Sequence, residues 1–320
     1  MGECPFCHAP TTADVWSNDP IGECRLVHCG ACDITFTSPP LGETELEPFY
    51  AASYFGPVNR RFWPPLEWIV HRFRRRRAKR LHALAGRPGR ALDIGCGRGV
   101  TLFHLRELGW EVAGIERSPT AAEHARDELD LDVDTAGFDP KRYASEQYDL
   151  VILWHVLEHL TEPLEALAGI ARMIPPGGIL AVSVPNLDSW QAGLSHYGWF
   201  HLDLPRHRVH FTAAGLKRRL EALGFHVVRE SHASLEQNVF GWLQSVLNRL
   251  GFEPNLLYDL LRSPRARRIK QPWRTHPLQS LASVLIGSML LLPALAMLPL
   301  EQLFRRGATV DLYAVRKGTE

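Results

Sequence analysis

The sequence predicts an α/β fold built on a doubly wound, mostly parallel sheet, and three observations predict it. The apolar run ALDI (91–94) leads into a glycine-rich turn, GCGRG (95–99), that opens a helical stretch, TLFHLRELG. Strand-like and helix-like runs then alternate through residue 186, the pattern of strand–helix–strand units. At 320 residues, with 45% hydrophobic and 22% charged side chains, the chain is long enough to bury such a core.

The elements follow in order. EVAGIERS (111–118) reads as a second strand ending in the acidic Glu116, a position that commonly receives both hydroxyls of a ribose. LDVDTAGFDP (131–140) gives a short third strand and turn. QYDLVILWHVLEHL (147–160) gives a fourth strand entering a loop. ALAGIARMIPPGGILAVSVPN (166–186) supplies a helix, a turn and a fifth strand. HVVRESHAS and, after a long insertion, GATVDLYAVRK read as the last two strands. A ligand site is expected at the carboxyl ends of the strands. The glycines Gly95, Gly97 and Gly99 let a ligand approach the backbone, yet Val100 stands where a dinucleotide-binding GxGxxG fingerprint has its third glycine.

LDIGCGRG, IERS, YDLVILWHVLEHL and IPPGGILAVSVPN together resemble the successive motifs of class I S-adenosylmethionine (SAM) dependent methyltransferases, over residues 88–232 and the final strand at 309–316. The resemblance implies a seven-stranded Rossmann-like methyltransferase sheet and SAM as methyl donor. It implies that Asp93, Gly95, Gly97 and Gly99 hold the methionine part of SAM and that Glu116 binds the ribose. Phe138 or Asp139 is implied near the adenine, and Trp154 and His155 facing the methyl donor. With WFHLDLPRHRVHFT (199–212), the chain resembles a bacterial group of ribbon-bearing methyltransferases, which hints at cell-surface polysaccharide or lipid metabolism.

SAM carries its own leaving group, so the protein must align the acceptor and remove a proton where the nucleophile is a hydroxyl, amine or acidic carbon. Histidines crowd two stretches. In 199–212, a segment expected to cover the acceptor, His207 is the first choice as general base because imidazoles titrate near neutral pH, with Asp203 placed to orient it and His155 a second candidate. The competing reading has Arg206, His207 and His210 tether this loop to the next helix. Glu158 and His159 read as residues that brace the loop after the fourth strand.

The N-terminus carries CPFC and CGAC, separated by 21 residues. Two such knuckles point Cys4, Cys7, Cys29 and Cys32 at one ion, a zinc-ribbon layout in which zinc is structural because four thiolates close the shell. Cys24 reads as an apolar strand residue, and His8 or His28 as a minor alternative ligand. MGECPFCHAP has no apolar signal region, so the cysteines are expected to be reduced, in a cytoplasmic compartment.

Two segments exceed a minimal methyltransferase. Residues 60–84 read as a basic, aromatic-bearing helix that suggests an anionic membrane surface, with RNA or a solvated face as alternatives. Residues 281–300 contain no charge and are long enough to cross a bilayer. The strand that follows must rejoin the sheet, so Pro293 and Pro299 are expected to bend the segment into a re-entrant hairpin, a monotopic anchor on the cytoplasmic face of a membrane, with a buried helical pair that caps the protein or forms a dimer interface as the alternative.

The expected division is 1–42 ribbon, 43–87 linker and basic helix, 88–232 methyltransferase core, 233–308 helical insertion, and 309–320 final strand and tail. The leading functional reading is methyl transfer from SAM to a small-molecule or lipid-linked acceptor. A net charge of +1 counts against nucleic acid as partner. An RNA methyltransferase that grips with ribbon and basic helix, and a non-catalytic membrane scaffold, are the alternatives.

Overall fold

The computed structural model describes residues 3–10, 13–16, 24–46, 62–143, 147–264 and 267–318. Much of the expected linker, residues 47–61, lies outside the described residues, as do the first two arginines of the expected basic helix.

The chain opens with β1 (Ala13–Asp14), β2 (Arg25–Cys29) and β3 (Ile34–Ser38), followed by α1 (Glu43–Leu46) and α2 (Pro64–Ala85). The core then runs β4 (Arg90–Ile94), α3 (Val100–Glu107), β5 (Glu111–Glu116), α4 (Pro119–Asp127), β6 (Asp132–Thr135) and β7 (Leu150–Trp154). It continues through α5 (Pro163–Met173), β8 (Ile179–Pro185), α6 (Trp190–Ser195), β9 (Val209–His210), α7 (Ala213–Ala222) and β10 (Phe225–Ser231). The insertion is α8 (Asn238–Arg249), α9 (Leu256–Leu261), α10 (Pro272–Thr275) and α11 (Pro277–Phe304), and β11 (Thr309–Arg316) ends the fold.

Among the described residues the main sheet has seven strands in the order β10-β11-β8-β7-β4-β5-β6. Strands β8, β7, β4, β5 and β6 are parallel, and β11 runs antiparallel to both of its neighbours. This is the predicted mostly parallel, doubly wound sheet. Parallel strands covered on both faces must be apolar throughout, and every residue of β8 is buried. Local chemistry sets the helix ends. Ser118 accepts a hydrogen bond from the Ala121 amide with Pro119 in the first turn of α4, and Thr212 caps α7 through the Gly215 amide.

The cysteine module is not a separate bead. Its sheet has the order β1-β2-β3-β9, so a strand from the histidine-rich loop completes it. Ile34 of β3 joins Val209, Phe211, Leu153 and Val182 in one hydrophobic core. Arg219 of α7 donates to the Cys32 carbonyl and Arg218 pairs with Asp33.

The expected re-entrant hairpin does not form: α11 is one continuous helix of 28 residues that passes through Pro293 and Pro299. Each proline removes a single amide donor, which a helix braced along its length tolerates. The brace is a seam of Ser280, Ser283, Gly287, Ala294 and Glu301, buried at spacings of three, four and seven residues and packed on α8 and α9. Small residues let the helices approach closely: a Cβ on Gly287 would stand 3.0 Å from Leu257. At the end of the seam the buried Glu301 accepts hydrogen bonds from Asn238 (2.7 Å), Trp242 (2.8 Å) and Gln191 (3.2 Å). The opposite face is bare, with Leu278, Met289, Leu292 and Leu303 all more than 70% exposed.

Replacing Glu301 by Ala strands three buried donors, which costs roughly 2–4 kcal/mol. The urea midpoint is expected to fall accordingly, whereas a surface change such as Glu107→Ala leaves it in place. An unchanged midpoint for Glu301→Ala would show that α11 is not anchored through this carboxylate.

Candidate active site

The carboxyl ends of β4, β5, β7 and β8 open into a cavity of about 1320 Å³. Of the predicted cofactor residues, Asp93, Gly95, Gly97 and Glu116 border it, as do Phe138, Asp139, Trp154 and His155. Gly99 does not. It is the left-handed start of α3 (φ 73°), and a Cβ there would meet Leu131 at 2.5 Å and Ala125 at 3.0 Å, so its place is set by packing. Gly97 is the opposite case: at φ 57° it has open space where a Cβ would point, the bare backbone a ligand can approach.

Glu116 is fixed by two amides. Its carboxylate oxygens accept from Gly97 (2.8 Å) and Ser118 (2.7 Å), which aims the group across the glycine turn. Burial raises its pKa, and the two amides partly offset that. Asp93 is 4% exposed and burial pushes its pKa up to about 7, against the lowering pull of Arg77 and Arg74.

Those arginines were not anticipated as site residues. Both lie on α2 and border the cavity, three residues apart. Arg77 covers the Trp154 ring at 3.7 Å and pairs with Glu236 at 3.1 Å. The expectation that the whole basic run faces a membrane or RNA is therefore corrected for Arg74 and Arg77. Ala78 and Leu81 are the buried positions of α2, and the residues one turn before them necessarily turn inward. Arg72, Arg75, Arg76 and Lys79 stay exposed.

The other half of the cavity is formed by the loop between α6 and β9 and by the start of the insertion. His155, His159, Asp203 and His207 border it together with Phe200 and Tyr258. His155 and Asp203 both hold left-handed backbone (φ 55° and 47°), an unusual conformation for residues with side chains. His207 is 6% exposed, and burial holds its pKa well below the ordinary imidazole value. This shift runs away from the near-neutral titration expected of it.

Its orientation comes from the His201 carbonyl, 2.9 Å from Nδ1. Asp203 is not the orienting group: its carboxylate stands 3.7 Å from His207 Nε2 and pairs with Arg206 at 2.6 Å. Burial also lowers His201 and His210 to about 3.

This loop is held by the cysteine module. Thr37 on β3 donates to the His207 carbonyl at 2.7 Å and contacts His210 Nε2 at 2.9 Å, and the Thr37 amide donates to the Arg208 carbonyl at 3.0 Å. The expected tether of this loop to α7 is corrected for His210, whose ring meets Thr37 on β3.

In the module itself, the sulfurs of Cys4, Cys7, Cys29 and Cys32 all lie within 4.8 Å of one another. Cys4 and Cys32 are 3.7 Å apart and Cys7 and Cys29 3.6 Å, too far for a disulfide. Sulfurs at ~2.3 Å from a central ion stand about 3.8 Å apart in a tetrahedron, so the four fit one shell. Cys24, His8 and His28 lie outside the group.

Residues 69–230, just over half of the chain, match the family model described as a methyltransferase domain. The chain belongs to the SAM-dependent methyltransferases. This methyltransferase is 31% identical over 170 residues to a ubiquinone biosynthesis O-methyltransferase of Rhodopseudomonas palustris, covering 49% of this chain and 65% of that one. It is 33% identical over 132 residues to the protein of the same name from Maricaulis maris, covering 38% and 52%. Across the first such relatives the match spans between 41% and 65% of their length. A SAM-dependent methyltransferase structure from Archaeoglobus fulgidus aligns with TM-score 0.47 and 19% identity over 77% of this chain and 94% of that one, a distance at which it carries no argument.

The pKa of Asp93 gives the donor half a pH signature. Below pH 7 its carboxyl is protonated and an ammonium group finds no charge there; above, the charge is present. The Kd for SAM is therefore expected to rise by up to about tenfold per unit as pH falls below about 7 and to be flat above it. Asp93→Asn is expected to bind weakly with no such slope. Calorimetric titration across pH 5.5–8 checks this, and an equal slope in the variant would rule Asp93 out as its source.

Proposed function

We propose that this methyltransferase moves the SAM methyl group to an oxygen of an acceptor that resides in a membrane. In this reading Asp93 faces the amino group of SAM, Arg74 and Arg77 its carboxylate, Glu116 its ribose, and Phe138 and Asp139 border the adenine. When bound, SAM supplies an electrophilic methyl group and its own leaving group. Trp154 and His155, at the end of β7, stand where the two halves of the cavity meet. The acceptor oxygen gives its proton to His155, whose Nε2 has no hydrogen-bond partner among the described residues, and forms the new C–O bond as the S–C bond breaks. The sulfur keeps that electron pair as a neutral thioether. The kinship with O-methyltransferases supports oxygen as the acceptor atom.

The observation that carries the membrane part is the bare face of α11. Its 28 residues span ~42 Å, and from Leu281 to Leu300 they hold no charge. Four residues after it ends, β11 begins and pairs with β8 along seven residues, so the helix lies along a surface and does not cross it. Lys270, Trp273 and Arg274 are exposed at one end and Arg305 at the other, a fit to anionic headgroups. The other side of α8 and α9 reaches the acceptor half through Tyr258, with the Phe240 ring tilted against it at 5.9 Å. The acceptor half is thus one helix layer from the apolar face.

RNA as the acceptor has less to grip: β3 is occupied by β9, and two arginines of α2 turn to the cavity while its other basic residues stay exposed. We assign zinc to the four thiolates on their geometry, as a structural ion that holds β3 in place and through it the loop bearing His207.

The direct test is methyl-labelled SAM incubated with the protein and with separated membrane and soluble extracts. Label is expected in the solvent-extractable lipid fraction, and label confined to water-soluble products contradicts the membrane part. The protein is also expected to float with vesicles containing phosphatidylglycerol, and Leu285→Glu with Leu292→Glu to abolish flotation while SAM binding persists.

For zinc, chelation is expected to raise amide exchange in 203–211 by at least tenfold while residues 91–94 stay protected. Unchanged exchange in 203–211 would separate the ribbon from the loop.

A further inference from the structure

We propose that Glu158, His159 and His207 form a binding site for a divalent transition-metal ion at the edge of the acceptor half. One ligand atom from each lies within 4.8 Å of the other two, in a place separate from the four cysteines. Glu158 is 1% exposed, and neither of its carboxylate oxygens has a hydrogen-bond partner among the described residues, the nearest cationic group being His155 Nδ1 at 3.4 Å from Oε1. A buried carboxylate without hydrogen bonds is costly, and a cation is the partner that removes the cost. Its main chain is also tied down, since the Arg208 amide donates to the Glu158 carbonyl at 2.9 Å.

The two imidazoles are set for the same task. His207 Nδ1 lies 2.9 Å from the His201 carbonyl and His159 Nδ1 lies 3.1 Å from the Arg206 carbonyl. A carbonyl only accepts, so each Nδ1 carries the proton and each Nε2 carries the lone pair. Backbone acceptors that fix the tautomer in this way are the usual outer shell of a metal-binding histidine. The rings meet edge to face with centroids 4.6 Å apart. Burial keeps His207 unprotonated, which removes a competing proton from the ligand position.

Two nitrogens and one carboxylate are borderline donors, suited to Mn²⁺, Fe²⁺, Co²⁺, Ni²⁺ or Zn²⁺. Three protein ligands leave coordination positions open. His155, with Nδ1 3.4 Å from Glu158 Oε1, and Asp203, 3.7 Å from His207 Nε2, flank the cavity side. An acceptor oxygen bound there would lose its proton more readily. Only this consequence rests on the proposed function; binding of the ion does not.

The test uses the full-length protein with its four-thiolate site already occupied by zinc, titrated by calorimetry with Mn²⁺ and with Co²⁺. One further ion per chain is expected for at least one of the two metals. Glu158→Gln and His159→Gln are each expected to weaken it at least tenfold, with SAM affinity retained as the control for folding. If one variant does not fold, the other carries the comparison. Absence of stoichiometric binding of both metals, or an unchanged affinity in the variants, overturns the site. Loss of SAM binding or methyl transfer to membranes, with ion binding intact, would count against the proposed function alone.

Discussion

Strand β11 enters the sheet between β8 and β10, and this pairing constrains everything after residue 231. Ser183 donates to Asp311 at 2.8 Å across the β8–β11 pair, and Asn186 donates to the Gly307 carbonyl at 3.0 Å just before it. The long apolar helix must therefore return its C-terminus to the sheet edge. Its small-residue seam packs on α8 and α9. Of those helices α9 borders the cavity through Tyr258, with Phe240 of α8 against that ring.

A second pairing does comparable work on the other side. Joined to β9, β3 makes the cysteine module part of the body and holds the 199–212 loop over the strand ends. The cavity between these two constraints is electrically divided. Buried carboxylates and inward-facing arginines meet at the ends of β4 and β5, while His201 and His207, both lowered by burial, lie in the loop on the other side. In the proposed reaction a cationic sulfonium and an oxygen nucleophile need surroundings of those two kinds.

The sheet was legible in the sequence because its strands are long, apolar and bounded by glycine turns, and the four-cysteine cluster because its spacing is specific. Of the predicted cofactor residues only Gly99 falls outside the cavity, since a glycine needed for packing and one needed for ligand approach look alike in sequence. Arg74 and Arg77 were hidden in a run of like charges whose inward face only the burial of Ala78 and Leu81 reveals. β9 is two residues long, too short to show any period. The prolines of α11 read as breaks because their tolerance depends on a brace from α8 and α9. The role given to Asp203 failed on geometry: its neighbour Arg206 takes the carboxylate, and a backbone carbonyl orients His207.

The central claim is a single cavity whose donor half is built from the ends of β4 and β5 under α2. A crystal structure of the protein with S-adenosylhomocysteine tests it most directly. The account predicts the ribose hydroxyls on Glu116, the amino group toward Asp93 and the carboxylate toward Arg74 or Arg77. A ligand lying elsewhere, or one leaving Glu116 and Asp93 without contact, would contradict it.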